Sequence, residues 1–577
     1  MPEAWGLSRV TVRYGSTVAL DDVSLAAVPG QVVAVVGGDG AGKTTLLRTL
    51  IGRVAPISGG VAHPAPARIG YQPSSAGSWA NLTVDENLRL VEGAYGLDRS
   101  VARERGERLL ESAGLAAARS RMSSQLSGGM RRKLGFCMAM LHAPDLVVLD
   151  EPSTGIDPVS RVELWSLIAE AAAGGAAVVM STTYLDEAER VHNVLVLDAG
   201  HALLDGTPAH VLASAPGSVV RITAPDDPPH AWRRGSAWHQ WHAGDPLPGE
   251  VASTPDMEDA VIAATMAARR PDQLPTVPIA AEPLDRAAHS PLAAVKQVVR
   301  RFGTDVAVDV ASLTIRGGEI VGLIGANGAG KTTLIRMQLG LLLPSSGDVT
   351  LFGTEPSREQ RERVGYVPQG LGLYRDLTVR ENIDFVTHAY PASLTVESGA
   401  FAEFESDFDE LVGDIGLGRQ RQLAFACALA HSPELLVLDE PTSGVDPIYR
   451  ARLWDAIHGQ AEAGVGVLVS THYMQEAEQC DRLVLMDGGR VVGEGSVADI
   501  VGSAVAVEVT CEDWAAAFAA LTAAGLPVAL MGTRVRVVDA EESKVTSVLG
   551  GLSVQLDVVP ATLEERMTSI ARARSIA

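Results

Sequence analysis

GGDGAGKTT, from Gly37 to Thr45, and GANGAGKTT, from Gly325 to Thr333, are the two stretches on which the fold turns. Each satisfies GxxxxGK[ST], and each follows an apolar run (VVAVVG; EIVGLIG) and precedes a helix-like one (TTLLRTLIG; TTLIRMQLG). Strand, glycine-rich loop and helix in that order let backbone N–H groups converge on phosphate oxygens, with the helix N-terminus adding partial positive charge. The first loop offers Gly37, Asp39, Gly40, Gly42, Lys43, Thr44 and Thr45; the second offers Gly325, Asn327, Gly328, Gly330, Lys331, Thr332 and Thr333. Lys43 and Lys331 are expected to reach the β- and γ-phosphates of a nucleotide, and Thr44 and Thr332 to hold Mg2+.

A second pair of segments recurs in the same order at nearly the same spacing: LVVLDEPSTGIDP from Leu146 and LLVLDEPTSGVDP from Leu435. An apolar strand here delivers two acids at its C-terminal end, where α/β sheets bind ligands. Asp150 and Asp439 are expected to act through Mg2+, and Glu151 and Glu440 to polarise an attacking water. Paired motifs in register mean two copies of one large domain, a period far longer than that of a solenoid. We read residues 1–213 and 291–503 as nucleotide-binding domains. Residues 214–290, rich in Pro, Ala and His, read as a linker with a degenerate small appendage, because TPDMEDAVIAA from Thr254 echoes ATLEERMTSIA from Ala561. Residues 504–577 read strand, helix, strand, strand, helix, strand, helix, which suits a small α/β domain.

The chain has 577 residues, 46% hydrophobic and 20% charged, enough for several packed cores. Its formal net charge of −23 argues against a nucleic-acid binder, which needs a concentrated basic face. The charge-free run from Trp514 to Gly532 is broken by Gly525 and Pro527 and does not read as a membrane span. The opening MPEAWGLSRVTVRYG lacks the pattern of a signal peptide. Cys137, Cys427, Cys480 and Cys511 are isolated, so neither a zinc site nor a disulfide framework is expected. A cytosolic, multidomain protein is the reading from composition.

LSGGM, from Leu126 to Met130, resembles the signature of the ATP-binding cassette (ABC) family, and the resemblance covers nearly the whole chain. It implies an α/β fold: two P-loop NTPase domains of ABC type in tandem, each with a RecA-like core, an antiparallel β subdomain and a helical subdomain. It implies that Tyr14 and Phe302 stack on adenine. VGYVPQG resembles the glutamine loop, giving Gln369 as a ligand of Mg2+ and water, and STHYMQEAEQ resembles the switch segment, placing His472 on the γ-phosphate. The family binds ATP between two cassettes arranged head to tail, so each site joins one copy's phosphate loop to the other copy's signature.

The copies depart from that pattern in different places. IGYQPSSAGSWANLTVDEN from Ile69 aligns without gaps with VGYVPQGLGLYRDLTVREN from Val364, so Ser74 faces Gln369, with Gln72 two positions early. STTYLDEAER from Ser181 aligns with STHYMQEAEQ from Ser470, so Thr183 faces His472. Asp39 stands where the second copy has Asn327. In the second copy, LSGGM aligns with IGLGR, Ile415 to Arg419; Gly416 faces Ser127, Leu417 faces Gly128, and Gly418 is the counterpart of Gly129. The segment before it is shorter, which predicts a pared-down helical subdomain. Head-to-tail pairing then sends the intact Ser127, Gly128 and Gly129 to the site of Lys331, Gln369, Asp439, Glu440 and His472. The site of Lys43, Asp150 and Glu151 receives the degenerate signature with Gly418. One competent and one mainly structural ATP site is the expectation.

The resemblance is greatest to tandem-cassette ATPases of the type-2 bacterial export subfamily, which includes multidrug exporters. It implies ATP hydrolysis coupled to export through separate transmembrane permease subunits, two in number, with the chain on the cytoplasmic face of the membrane and no nucleic-acid partner. Docking would use residues 75–125 and 370–414. A soluble tandem-cassette translation factor is the alternative; its linker is expected to be helical and basic, whereas residues 214–290 contain Pro and several acids. A DNA-repair ATPase of the excision-repair type would need CxxC pairs, which are absent.

Overall fold

The computed structural model describes residues 4–225, 227–235, 237–270, 274, 291–390, 399–442 and 444–576. Each copy is built on a six-stranded sheet of identical order. In the first copy it runs Ile69–Gln72, Leu146–Leu149, Ala177–Thr182, Val32–Val36, Asn193–Asp198, His201–Gly206. In the second it runs Val364–Val367, Leu435–Asp439, Gly466–Thr471, Ile320–Gly325, Arg482–Asp487, Arg490–Gly495. All pairings are parallel except the last. VVAVV and IVGLIG are buried at every residue, as strands covered on both faces must be. The order sets the chemistry. The strand feeding each phosphate loop and the strand ending in the acid pair flank a third, which ends at Thr183 or His472, and all three open on the same sheet edge.

An antiparallel sheet adjoins each core: Thr17–Ala27, Trp5–Tyr14 and Ser58–Ala62 in one copy, Asp305–Arg316, Pro291–Phe302 and Ser346–Leu351 in the other. The helical subdomains differ. The first copy has helices Val84–Tyr95 and Arg99–Ser112. In the second, Val379–Ala389 is followed, beyond residues 391–398 outside the described set, by the 3-10 segment Gly399–Asp407. Phe401, Phe404 and Phe408 fill the space against Val379 and Ile383. Arg419 ties this segment down, with its Nε on Asp407 at 2.9 Å and its guanidinium 4.6 Å above the Phe404 ring. The residue that departs from the signature is therefore used for packing.

Residues 214–270 are folded rather than extended: strands Ser218–Ile222, Ala237–His242 and Ala231–Arg234 form a sheet, followed by helix Met257–Ala268. The tail shows the element order read from its sequence, with the sheet Val528–Met531, Arg534–Val538, Val505–Thr510, Gln555–Pro560 and the final helix Leu563–Ile576. Both small units pack on the opposite copy. Helix Leu563–Ile576 lies on Pro158–Ala173 of the first copy, and Met257–Ala268 on Pro447–Glu462 of the second. Trp514 and Phe518 join the apolar core of the first copy; Trp232 and Ile262 pack with Ile448 and Ala451 of the second.

Charge locks the first of these seams. Arg161 is buried and donates to Glu564 at 2.8 Å and contacts Asp186 at 3.1 Å; Arg190 holds the other Glu564 oxygen. Burial alone would raise the Glu564 carboxyl, but the two guanidiniums outweigh it and bring it down to about 2. On the opposite seam Glu258 has Arg234 at 3.7 Å and the field of Arg450, but burial outweighs both and pushes its carboxyl up. Between the copies the rings of Tyr184 and Tyr473 stack at 4.5 Å, with Arg161 5.0 Å from one and Arg450 5.3 Å from the other.

Breaking a buried ion pair from one side costs about 3–5 kcal/mol. Glu564→Gln is therefore expected to lower the free energy of unfolding in urea at neutral pH by an amount of that order. Glu564 is depressed from 4.5 to about 2, so its contribution is complete above 4.5 and is lost as pH falls towards 2. The gap between wild type and variant should close over that window; a gap independent of pH would show that Glu564 does not anchor the tail through its charge.

Candidate functional site

Both phosphate loops have the same construction. Gly42 and Gly330 stand at φ of +103° and +98°, a conformation open to glycine, and start the helices Lys43–Leu50 and Lys331–Gln338. Lys331 Nζ donates to the Gly325 and Ala326 carbonyls at 2.7 and 3.1 Å, and Lys43 Nζ to those of Gly37 and Gly38 at 2.8 and 2.9 Å. Each ammonium is thus folded over the mouth of its loop. Thr332 donates to Asp439 at 3.1 Å and Thr44 to Asp150 at 3.1 Å. Ser470 and Ser181 donate to the same two aspartates and accept from the backbone N–H of Glu440 (3.1 Å) and Glu151 (2.9 Å). These serines escaped the sequence reading, though each occupies the same place at the end of its strand. Glu440 and Glu151 adopt φ of +54° and +48°, strained for a residue with a Cβ, which turns both carboxylates out of the strand line.

Beyond this shared frame the two glutamates differ. Glu440 accepts from Gln369 Nε2 at 3.0 Å, and its other oxygen lies 3.4 Å from His472 Nδ1. Burial pushes the Glu440 carboxyl up, but His472, Lys331 and Gln369 together outweigh it and hold it below the ordinary range. Glu151 has neither partner. It sits 3.4 Å from Lys43 and takes a weak hydrogen bond from Thr154 at 3.4 Å. Gln72 does not fill in: its amide is fully buried and donates to the Arg132 carbonyl at 2.9 Å, bracing helix Gly128–Met140. Thr183 is buried with its hydroxyl unpartnered.

The copies face each other head to tail. Asn327 Nδ2 reaches the Gly155 carbonyl at 3.2 Å, and a cavity of about 470 Å3 lies between Ala326, Asn327 and Gly488 on one side and Ser127, Asp157 and Ser160 on the other. Ser127 caps helix Gly128–Met140 by accepting from Met130 N–H at 3.2 Å. A Cβ on Gly129 would fall 2.6 Å from Ser160 Oγ, so this position has no room for a larger residue, whereas one on Gly128 would make ordinary contact with the Gly155 carbonyl at 3.8 Å. In the second copy Gly416 opens helix Leu417–Leu429 with no side-chain cap, and the space around Gly418 is open. The first loop abuts the second copy closely: a Cβ on Gly38 would meet Asp446 Cβ at 2.3 Å. Asp39 lies in this contact, where burial raises its carboxyl despite Lys43 and Arg421. Tyr14 and Phe302 sit at the ends of their strands, each 49% exposed, with Arg300 4.6 Å above the Phe302 ring.

Comparison with known proteins agrees with this architecture. A family model described as ABC transporter matches residues 20–154 and 308–443. The chain is 33% identical over 526 residues to the probable multidrug ABC transporter ATP-binding protein YbhF of Escherichia coli (strain K12), an alignment covering 82% of this chain and 89% of that one. It is 40% identical over 225 residues to the Nod factor export ATP-binding protein I of Burkholderia lata, covering 37% and 74% of the two chains. A solved structure titled RNase-L Inhibitor superposes with a TM-score of 0.59 at 19% identity, over 94% of this chain and 98% of that one, which speaks for the tandem fold alone. Two phosphate loops, two acid-tipped strands and a head-to-tail interface, with relatedness running through both halves, place this chain among the ATP-hydrolysing, ATP-binding proteins of ABC transporters.

Proposed function

We propose that the chain powers an exporter whose two permease subunits are other chains, and that one of its composite ATP sites hydrolyses while the other is mainly structural. The observation that carries the asymmetry is the company of the two glutamates. Glu440 accepts from Gln369, faces His472 at 3.4 Å and is ionised at neutral pH, ready to take a proton from water. Glu151 leans on Lys43, the group its site needs for phosphate. Lys331 stays on its own loop and supplies positive charge where phosphate charge develops. The N-terminus of Gly128–Met140, reached across the interface, adds a second anion-binding element. ATP then contacts both copies only when they are closed, so its binding favours closure and its hydrolysis releases it.

A hydroxyl beside a carboxylate fits a hard cation. Thr332 with Asp439, and Gln369 nearby, would hold Mg2+ in one site, and Thr44 with Asp150 in the other; burial raises the Asp439 carboxyl, as for an acid short of positive charge. When bound, Mg2+ would neutralise phosphate charge.

Two features support permease partners. Among the described residues no helix is long and apolar enough to cross a membrane. The helical subdomains also expose large apolar side chains at matching positions: Trp79 (52%) and Tyr374 (47%), then Leu90 (41%) and Phe385 (55%). Such paired patches suit docking on two related surfaces. The names of the relatives, multidrug and Nod factor export, support this reading.

Glu440→Gln is expected to lower ATP turnover by about 100-fold or more, the scale of a lost general base, while Glu151→Gln keeps turnover within about threefold. Equal losses would end the asymmetry. Replacing Trp79 and Phe385 together by Ser should release the protein from membrane fractions without loss of ATP binding. Co-purification of the wild type with ribosomes instead of membrane proteins would favour the translation-factor reading.

A further inference from the structure

His472 stands between groups from both copies. Its Nδ1 lies 3.4 Å from Glu440 Oε1, and its Nε2 lies 3.1 Å from the hydroxyl of Tyr184, which belongs to the other copy. Nδ1 makes no hydrogen bond but faces this carboxylate, which favours a neutral imidazole with its proton on that side. Nε2 is then an acceptor, and the Tyr184 hydroxyl donates to it. Tyr184 is fully buried, and burial pushes its phenol well above the ordinary range, so the donor keeps its proton. The ring is clamped between the face of Tyr473 and the Arg161 guanidinium. Its backbone is fixed as well: Tyr184 N–H donates to Thr182 Oγ1 at 2.9 Å, and Arg450 donates to the Thr183 carbonyl at 3.0 Å.

The equivalent residue of the second copy does something else. Tyr473 accepts from the Gly444 N–H at 3.3 Å. The position that matches His472 is Thr183, which offers no ring for a tyrosine to orient. Two residues at equivalent positions thus serve different ends: Tyr473 stacks on the His472 ring at 4.8 Å, whereas Tyr184 reaches its Nε2 edge through the hydroxyl.

We propose that Tyr184 is a positioning residue for hydrolysis at the site of the opposite copy: its hydroxyl fixes the tautomer and ring plane of His472. The proposal rests on His472 serving the competent site. It extends what the degenerate copy contributes there, from the turn at Ser127 to a second, separate contact.

Tyr184→Phe keeps the stacked ring and removes only the donor. In nucleotide-free protein labelled with nitrogen-isotope histidine, with the His472 signal identified by its loss in His472→Asn, wild type should show the Nδ1–H tautomer. Tyr184→Phe should shift that signal towards a tautomer mixture. Turnover should fall about 3- to 10-fold in kcat at unchanged KM, the effect of one buried hydrogen bond, and Tyr184→Phe should add nothing in a His472→Ala background. An unchanged His472 spectrum, or an equal fall in kcat with and without His472, overturns the proposal. Full turnover in His472→Ala overturns it too, but through the role given to His472, and the spectrum tells that failure from a failure of Tyr184.

Discussion

A guanidinium with no water around it must be paired, and at the centre of this molecule Arg161 is such a group. Its partner, Glu564, comes from the far end of the sequence and is shared with Arg190. One charge requirement thereby fixes the tail of the chain to the first copy, although the tail follows the second. The first appendage makes the reverse crossing, holding Pro447–Glu462 through Trp232, Ile262 and the Met257–Ala268 helix. The two copies are consequently joined by seams built from side chains outside the phosphate loops. Between the seams the Arg161–Tyr184–Tyr473–Arg450 stack forms the contact nearest to His472. On the proposed cycle, closure on ATP would adjust two halves already joined and not assemble two free bodies.

Such permanence allows the two sites to diverge. A free cassette pairing with its own copy must keep every part, because each surface serves both sites. Covalent tandem order with reciprocal appendages removes that constraint, since each surface meets one partner only. Ser74, Thr183 and the uncapped Gly416 turn all bear on the site of Lys43, where Glu151 has settled on the lysine. Arg419 shows what a released position can become: it now pins the 3-10 segment that replaces a longer helical subdomain.

Local features were legible in the sequence wherever a single residue type is the physical solution. Gly42 and Gly330 hold backbone angles that favour glycine, and the acid-tipped strands are apolar at every position before the acid. The departures of each copy could be seen by aligning one with the other, and Gln72 proved to point at the Arg132 carbonyl, away from the site. What sequence could not show were partnerships across large separations. Arg161 and Glu564 are 403 residues apart, and Tyr184 and His472 are 288 apart. Nothing in DEAER or LEERM says which basic residue meets which acid. Residues 214–290 read as a linker with a degenerate appendage; in the part that the structure describes, Trp232 and Trp241 find a core in another domain, which gives this stretch its fold.

The switch position of the first copy shows how a site can decay without its interface decaying. Arg450 needs an acceptor at residue 183, and it uses the backbone carbonyl, which any residue supplies. The Thr183 side chain makes no hydrogen bond of its own, so its identity was not constrained by that contact. Tyr184, one residue on, stacks on Tyr473, faces Arg161 and reaches His472, so replacing it would disturb three groups at once. On the proposed roles, the Thr183 side chain bears on the site of Lys43 alone, while its neighbour Tyr184 bears on the opposite site as well as on the interface. A degenerate ATP site in this arrangement is therefore the expected companion of a well-kept interface.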